Sequence, residues 1–82
     1  MRITVRYFAG ARAAAGRDQE EIEIASDSDL EALCRLLARR HGQRLDRVLA
    51  VCTFLLDEIS TPRDQLLRDA ATVDVLPPFA GG

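Results

Sequence analysis

The residue pattern of this chain predicts a two-layer α+β fold, a mixed sheet of about five strands with one main helix packed on one face. Three observations predict it. The chain opens on an alternating run, Arg2 to Phe8, and closes on a second strand-like run, Thr72 to Leu76. Its middle holds one amphipathic helical stretch, about Asp29 to His41, with its own start and stop signals. At 82 residues the chain has room for one core, so residues 1–82 are expected to form one domain.

The first run places Ile3, Val5 and Tyr7 on one side and Arg2, Thr4, Arg6 and Phe8 on the other, the mark of a strand with one face on a core. Gly10 and Gly16 bracket an Ala-rich stretch, which suggests one or two helical turns inside a loop. From Glu20 to Ala25 the alternation returns, with Ile22 and Ile24 inward and Glu21 and Glu23 outward. Ser28-Asp29-Leu30-Glu31 fits a capping box with Ser28 as N-cap and Glu31 reaching back. Leu30, Leu33, Cys34 and Leu37 then recur at helical spacing, and Gly42 fits a left-handed stop. Cys34 on this stripe reads as a small core residue, and His41 at the helix end as a partly exposed cation facing the dipole.

Arg44 to Ala50 reads as an irregular turn or short helix. Val51 to Leu56 is a strand with Cys52, Phe54 and Leu56 on one side, Asp57-Glu58 a turn, and Ile59 to Thr61 a short edge strand broken by Pro62. Leu66 and Leu67 are expected to tuck a loop onto the core. The last strand, with Val73 and Val75 on one face, is expected to return beside the first. That parallel pairing needs a long crossover.

Composition excludes several functions. A formal net charge of −2 gives no basic face for nucleic acid. No apolar stretch reaches the length of a membrane span or signal, and two cysteines read as free thiols of a reducing cytoplasm. Cys34 and Cys52 are too few for a four-thiolate zinc site or an iron–sulfur cluster, so no bound metal or cofactor is expected. One histidine, His41, with nothing pairing it to a thiol, draws no acid–base or metal constellation. Each of the eleven basic residues is Arg, so there is no side-chain amine to capture an activated C-terminal carboxyl.

What remains is the protruding tail, residues 77–82: Pro77-Pro78-Phe79-Ala80-Gly81-Gly82. Pro77 lacks an N–H and ends the ladder. From Pro78 to the terminus the chain reaches at most roughly 17 Å. Ala80, Gly81 and Gly82 carry one methyl group between them, so the tail fits a slot too narrow for ordinary side chains. A free α-carboxyl has a pKa of about 3.5 and is a poor electrophile when ionised. It needs a leaving group, and attack is least hindered where there is no Cβ.

A strand–strand–helix–strand–strand–strand order ending in Gly-Gly resembles the β-grasp, ubiquitin-like sulfur carriers. Leu76-Pro77-Pro78-Phe79-Ala80-Gly81-Gly82, with Val5-Arg6-Tyr7-Phe8-Ala9-Gly10-Ala11-Arg12 at the other end, resembles the MoaD-like family, the small subunit of molybdopterin synthase. The family often has Asp-Gly-Asp before the final strand where this chain has Asp69-Ala70-Ala71, and Asn-Gly or Asp-Gly where it has Asp57-Glu58.

The resemblance implies that an E1-like adenylyltransferase binds the chain and uses ATP to convert the Gly82 carboxylate into an acyl-adenylate. Sulfur then replaces one oxygen, giving a thiocarboxylate. The tail next enters the molybdopterin synthase large subunit and gives its sulfur to cyclic pyranopterin monophosphate, in molybdenum cofactor biosynthesis. The chain is then a cytoplasmic sulfur-donor subunit of a hetero-oligomer, not a catalyst alone. In this reading Gly82 reacts, Gly81 and Ala80 thread, and Pro77 and Pro78 stiffen the exit. Phe79 docks on the partner, and Phe8 and Arg12 join that contact. Two alternatives stay open: a β-grasp carrier for thiamine, cysteine or tRNA thiolation, and a ubiquitin-like protein modifier.

Overall fold

Strand β1 (Arg2–Tyr7) sets the register of the whole sheet. On one side it pairs antiparallel with β2 (Gln19–Glu23), Val5 opposite Glu20. On the other it pairs parallel with β5 (Thr72–Leu76), Val5 opposite Val73 and Tyr7 opposite Val75. β5 pairs antiparallel with β3 (Thr53–Leu56), which pairs with the two-residue β4 (Ile59–Ser60). The computed structural model describes residues 1–78, and across them the sheet order is β2-β1-β5-β3-β4. This is the β-grasp arrangement, with the returning last strand in the middle of a mixed sheet.

Three helices cover one face: α1 (Ala9–Ala15), α2 (Leu30–His41) and α3 (Gln43–Leu49). The ambiguous stretch after Gly42 is thus a short helix that buries Leu45 and Leu49. The core joins Ile3, Val5, Ile22, Val73 and Val75 of the sheet to Leu30, Leu33 and Leu37 of α2, all essentially inaccessible. Each such aliphatic side chain contributes about 1.5–3 kcal/mol through apolar burial. Among the described residues no helix is long and apolar enough to cross a membrane.

Several local expectations are corrected. Asp29, not Ser28, is the N-cap of α2; its carboxylate accepts from the Ala32 amide at 2.8 Å. Glu31 does not reach back but pairs with Arg63 at 3.1 Å. The 63–67 loop explains the choice. Carbonyls of Gln65 and Arg63 accept from the Leu30 and Glu31 amides, while the Ser28 carbonyl accepts from Leu67. The first helical turn therefore finds its partners in that loop.

Leu67 is buried as expected, but Leu66 is 60% exposed. Cys52 precedes β3 and is half-buried, its thiol directed at the Val48 carbonyl at 3.1 Å. β2 ends at Glu23; Ile24 continues the pairing through mutual hydrogen bonds with Met1.

Both unusual turns take non-glycine residues at positive φ. Asp57 and Glu58 stand at φ 47° and 72°, the signs a tight two-residue hairpin demands. Asp57 is held there by the Thr72 amide at 2.9 Å and Arg68 at 2.7 Å. Those bonds hold its carboxyl below the ordinary value. Ala70, in the turn before β5, stands at φ 66°, with its amide bonded to the Arg2 carbonyl at 2.8 Å.

Candidate functional site: where the last strand leaves the sheet

β5 is flanked on both sides, so the chain leaves the sheet from its centre. The last rungs are Leu76 opposite Thr53 and the Phe8 amide on the Val75 carbonyl at 3.3 Å. Pro77 then has no N–H to donate, and the ladder stops. Pro77 is half-buried and Pro78 exposed.

The surroundings of the exit come from β1. Phe8 follows Tyr7 and caps α1 with extended backbone, φ −126° and ψ 149°, which leaves its ring half-buried beside the exit. The Arg6 guanidinium lies over that ring, 5.8 Å from its centroid. Arg6 also grips Asp74 through two bonds of 2.6 and 2.8 Å. These hydrogen bonds and the opposite charge raise the pKa of Arg6 further. Asp74 is 5% exposed, so the fork spans β1 and β5 on the uncovered face, two residues before Leu76. Arg12 is exposed on α1, and its guanidinium sits 3.2 Å from the exposed Asp18. Phe79, Ala80, Gly81 and Gly82 lie outside the described residues.

The densest side-chain chemistry lies elsewhere. Glu20 is buried on the inner face of β2, where its carboxylate accepts from the Tyr7 hydroxyl at 2.6 Å and faces His41, Arg40 and Arg17. His41 is partly exposed in the last turn of α2, as expected, and it also has a specific partner. It packs edge-on to Tyr7, ring centroids 6.1 Å apart, against Glu20. Burial pushes the Glu20 carboxyl up, but the hydrogen bonds from Tyr7 and His41 outweigh it and hold the group below its ordinary value. Burial first, then Glu20, pushes the Tyr7 phenol up.

This cluster was missed in the sequence, although parity announced it: if Ile22 and Ile24 face inward, so does Glu20. The buried Tyr7 hydroxyl is committed to Glu20, and the half-exposed Arg17 and Arg40 each reach it through one nitrogen, at 3.5 and 3.3 Å. Neither thiol is activated; burial pushes Cys34 up to about 11 and raises Cys52 as well. Among the described residues no group of three or more His, Cys, Asp or Glu is placed to hold a metal ion.

The family model described as the ThiS family matches residues 5–82. The chain belongs to the ThiS family. It is 34% identical to the molybdopterin synthase sulfur carrier subunit of Chlamydomonas reinhardtii, over all of both chains. Among solved structures it resembles molybdopterin converting factor subunit 1 of Pyrococcus furiosus, with 26% identity and a TM-score of 0.87 over 96% of this chain and 99% of that one. It also resembles, over all of both chains, a chain from the complex of subunits 1 and 2 of the molybdopterin-converting factor of Helicobacter pylori, with 26% identity and a TM-score of 0.69. Membership matches the family reading drawn from the tail and from the first strand.

Proposed function

We propose that this chain is the sulfur-carrying small subunit of a molybdopterin synthase, with Gly82 as its reactive residue. The observation that carries the reading is a central strand that ends on Pro77-Pro78 and leads into Phe79-Ala80-Gly81-Gly82. The full-length likeness to a molybdopterin synthase sulfur carrier subunit supports the same reading.

In this account an E1-like adenylyltransferase uses ATP to join AMP to the Gly82 carboxylate, releasing pyrophosphate. A sulfur nucleophile then attacks the carbonyl and AMP leaves, which produces the thiocarboxylate. Its sulfur, ionised like a thiolate, is a good nucleophile near neutral pH. The tail enters the large subunit, Gly81 and Ala80 pass the narrowest part, and sulfur goes to cyclic pyranopterin monophosphate in the cytoplasm. Phe79, Phe8, Pro77 and Pro78 form the apolar part of the contact, with Arg12 at its rim. The chain itself holds no cofactor in this scheme.

The test is transfer. The chain is loaded by the E1-like enzyme, ATP and a sulfur source, then mixed with the large subunit and cyclic pyranopterin monophosphate. Molybdopterin is expected from the full chain and none from a chain lacking Gly82. A loaded chain that yields none here, but supports thiazole formation with a thiazole synthase, assigns it to another pathway.

A further inference from the structure

Ala9 is the joint between β1 and α1, and its backbone stands at φ 49°, in the left-handed region. For an L residue that region is small and costly, and glycine ordinarily takes it. A glycine stands one position further on, yet among the described residues the glycines at positive φ are Gly16 and Gly42, not Gly10. Gly10 sits inside α1, where glycine is a poor helix former. Packing explains neither choice. Ala9 and Gly10 are both exposed, and a Cβ at Gly10 would meet nothing within 4 Å. The chain therefore carries Ala-Gly where Gly-Ala, of the same composition, would suit the backbone better.

What Ala9 borders is Phe8. The Phe8 amide donates to the Val75 carbonyl at 3.3 Å, beside the exit of the last strand. The Phe8 carbonyl accepts from the amides of Ala11 at 3.0 Å and Arg12 at 3.4 Å. Phe8 is thus tied to β5 on one side and to α1 on the other, with Ala9 between the two attachments. The other non-glycine residues at positive φ among the described ones, Asp57, Glu58 and Ala70, belong to turns at the opposite end of β1 and β5, near Arg2 and Thr72.

We propose that Ala9 is a positioning residue for Phe8. Its methyl confines the joint to the narrow left-handed well, which holds the Phe8 backbone against Val75 and its ring beside the exit. This rests on the tail reading above, in which Phe8 is part of the contact with the protein that receives the tail. Glycine at position 9 would relieve the strain but would open a broad range of φ on both sides of zero, so the Phe8 attachment would open more often. The natural order forgoes stability and keeps a contact residue fixed in advance, which lowers what binding must order.

The test swaps the two residues. The double variant Ala9→Gly, Gly10→Ala is expected to be more stable in urea than the parent, its unfolding equilibrium constant about two- to fivefold lower. Its Phe8 amide is nevertheless expected to exchange hydrogen about three- to tenfold faster, read by NMR. Sulfur-loaded chains are then compared in single turnovers with the molybdopterin synthase large subunit and cyclic pyranopterin monophosphate. The large-subunit concentration giving half the maximal rate is expected to rise about threefold in the double variant, with the rate at saturation unchanged. Ala9→Gly alone is expected to reproduce both effects on Phe8 exchange and half-saturation, and Gly10→Ala alone neither. Parental Phe8 exchange or parental half-saturation in the double variant overturns the positioning role. A double variant less stable than the parent overturns it too, because Ala9 is then the better residue for the backbone. A raised half-saturation with Gly10→Ala alone moves the role to Gly10 and overturns the assignment to Ala9. A parent chain that loads sulfur but yields no product overturns the choice of partner instead, and the Phe8 exchange rates then show by themselves whether Ala9 holds Phe8 in place.

Discussion

Two ends of polar chemistry can be compared in this molecule. At the Glu20 cluster, a buried carboxylate is surrounded by a phenol, an imidazole and two guanidinium groups. At the exit from β5, among the described residues, there is a half-buried proline and an aromatic ring, and the nearby Cys52, one residue before Thr53, has its thiol turned to the Val48 carbonyl and its pKa raised by burial. A site hunter drawn to clustered titratable groups would choose the first. Yet its shortest contacts, from Tyr7 and His41 to Glu20, hold β1, β2 and the end of α2 together. The second has little side-chain chemistry, and its value lies in geometry: a strand locked on both sides that stops at a fixed place.

The largest effect should come from breaking the first region. Glu20→Ala leaves the buried Tyr7 hydroxyl and His41 without their partner, at an expected cost of about 3 kcal/mol in denaturant unfolding. Sulfur loading per folded molecule should stay at the parental level. Loss of loading in a folded variant would join the two regions that this account separates.

Titration sharpens the contrast. The folded pKa of Glu20 lies below its ordinary 4.5, so its contribution is complete above that value and is lost as pH falls through the lower folded value. Cys34 is shifted the other way, from 9.0 to about 11, so its contribution is full below 9.0 and is lost as pH rises toward 11. Thermal melts across pH should fall on both flanks, and Glu20→Gln should flatten the acid one.

The exit should respond in the opposite currency. Phe8→Ala is expected to weaken binding to the large subunit by about tenfold, read by calorimetry, with a much smaller change in melting temperature. A variant that loses stability and keeps affinity would place Phe8 in the core instead. Smallest is the cap of α2. Asp29→Ala should cost about 1 kcal/mol and Ser28→Ala only a few tenths.

That pair also marks what the sequence could and could not announce. Strand faces and the central helix were legible because periodicity and local signals dictate them: Ile3, Val5 and Tyr7 alternate, and Leu30, Leu33 and Leu37 recur at helical spacing. Ser28 and Asp29 are adjacent and equally suited to cap, so the choice fell to the 63–67 loop, which local sequence does not contain. Likewise His41 meets Glu20 from 21 residues away, and Arg6 meets Asp74 from 68. Such pairings follow from sheet register, and register follows from the assembled fold. Phe8 was placed beside the exit by strand parity alone, and the structure puts it there. Arg12 was singled out by the family resemblance, and its ion pair with Asp18 arises from a turn whose path the sequence did not specify.

The central claim is that function resides in the last glycine, carried by a body that contributes only position. Intact-mass measurement after incubation with the E1-like enzyme, ATP and a sulfur source tests it most directly, on the parent chain and on a chain with one residue added after Gly82. The account predicts a mass gain matching one oxygen replaced by sulfur in the parent and none in the extended chain, with identical circular dichroism. The same gain in the extended chain, or no gain in the parent, would contradict it.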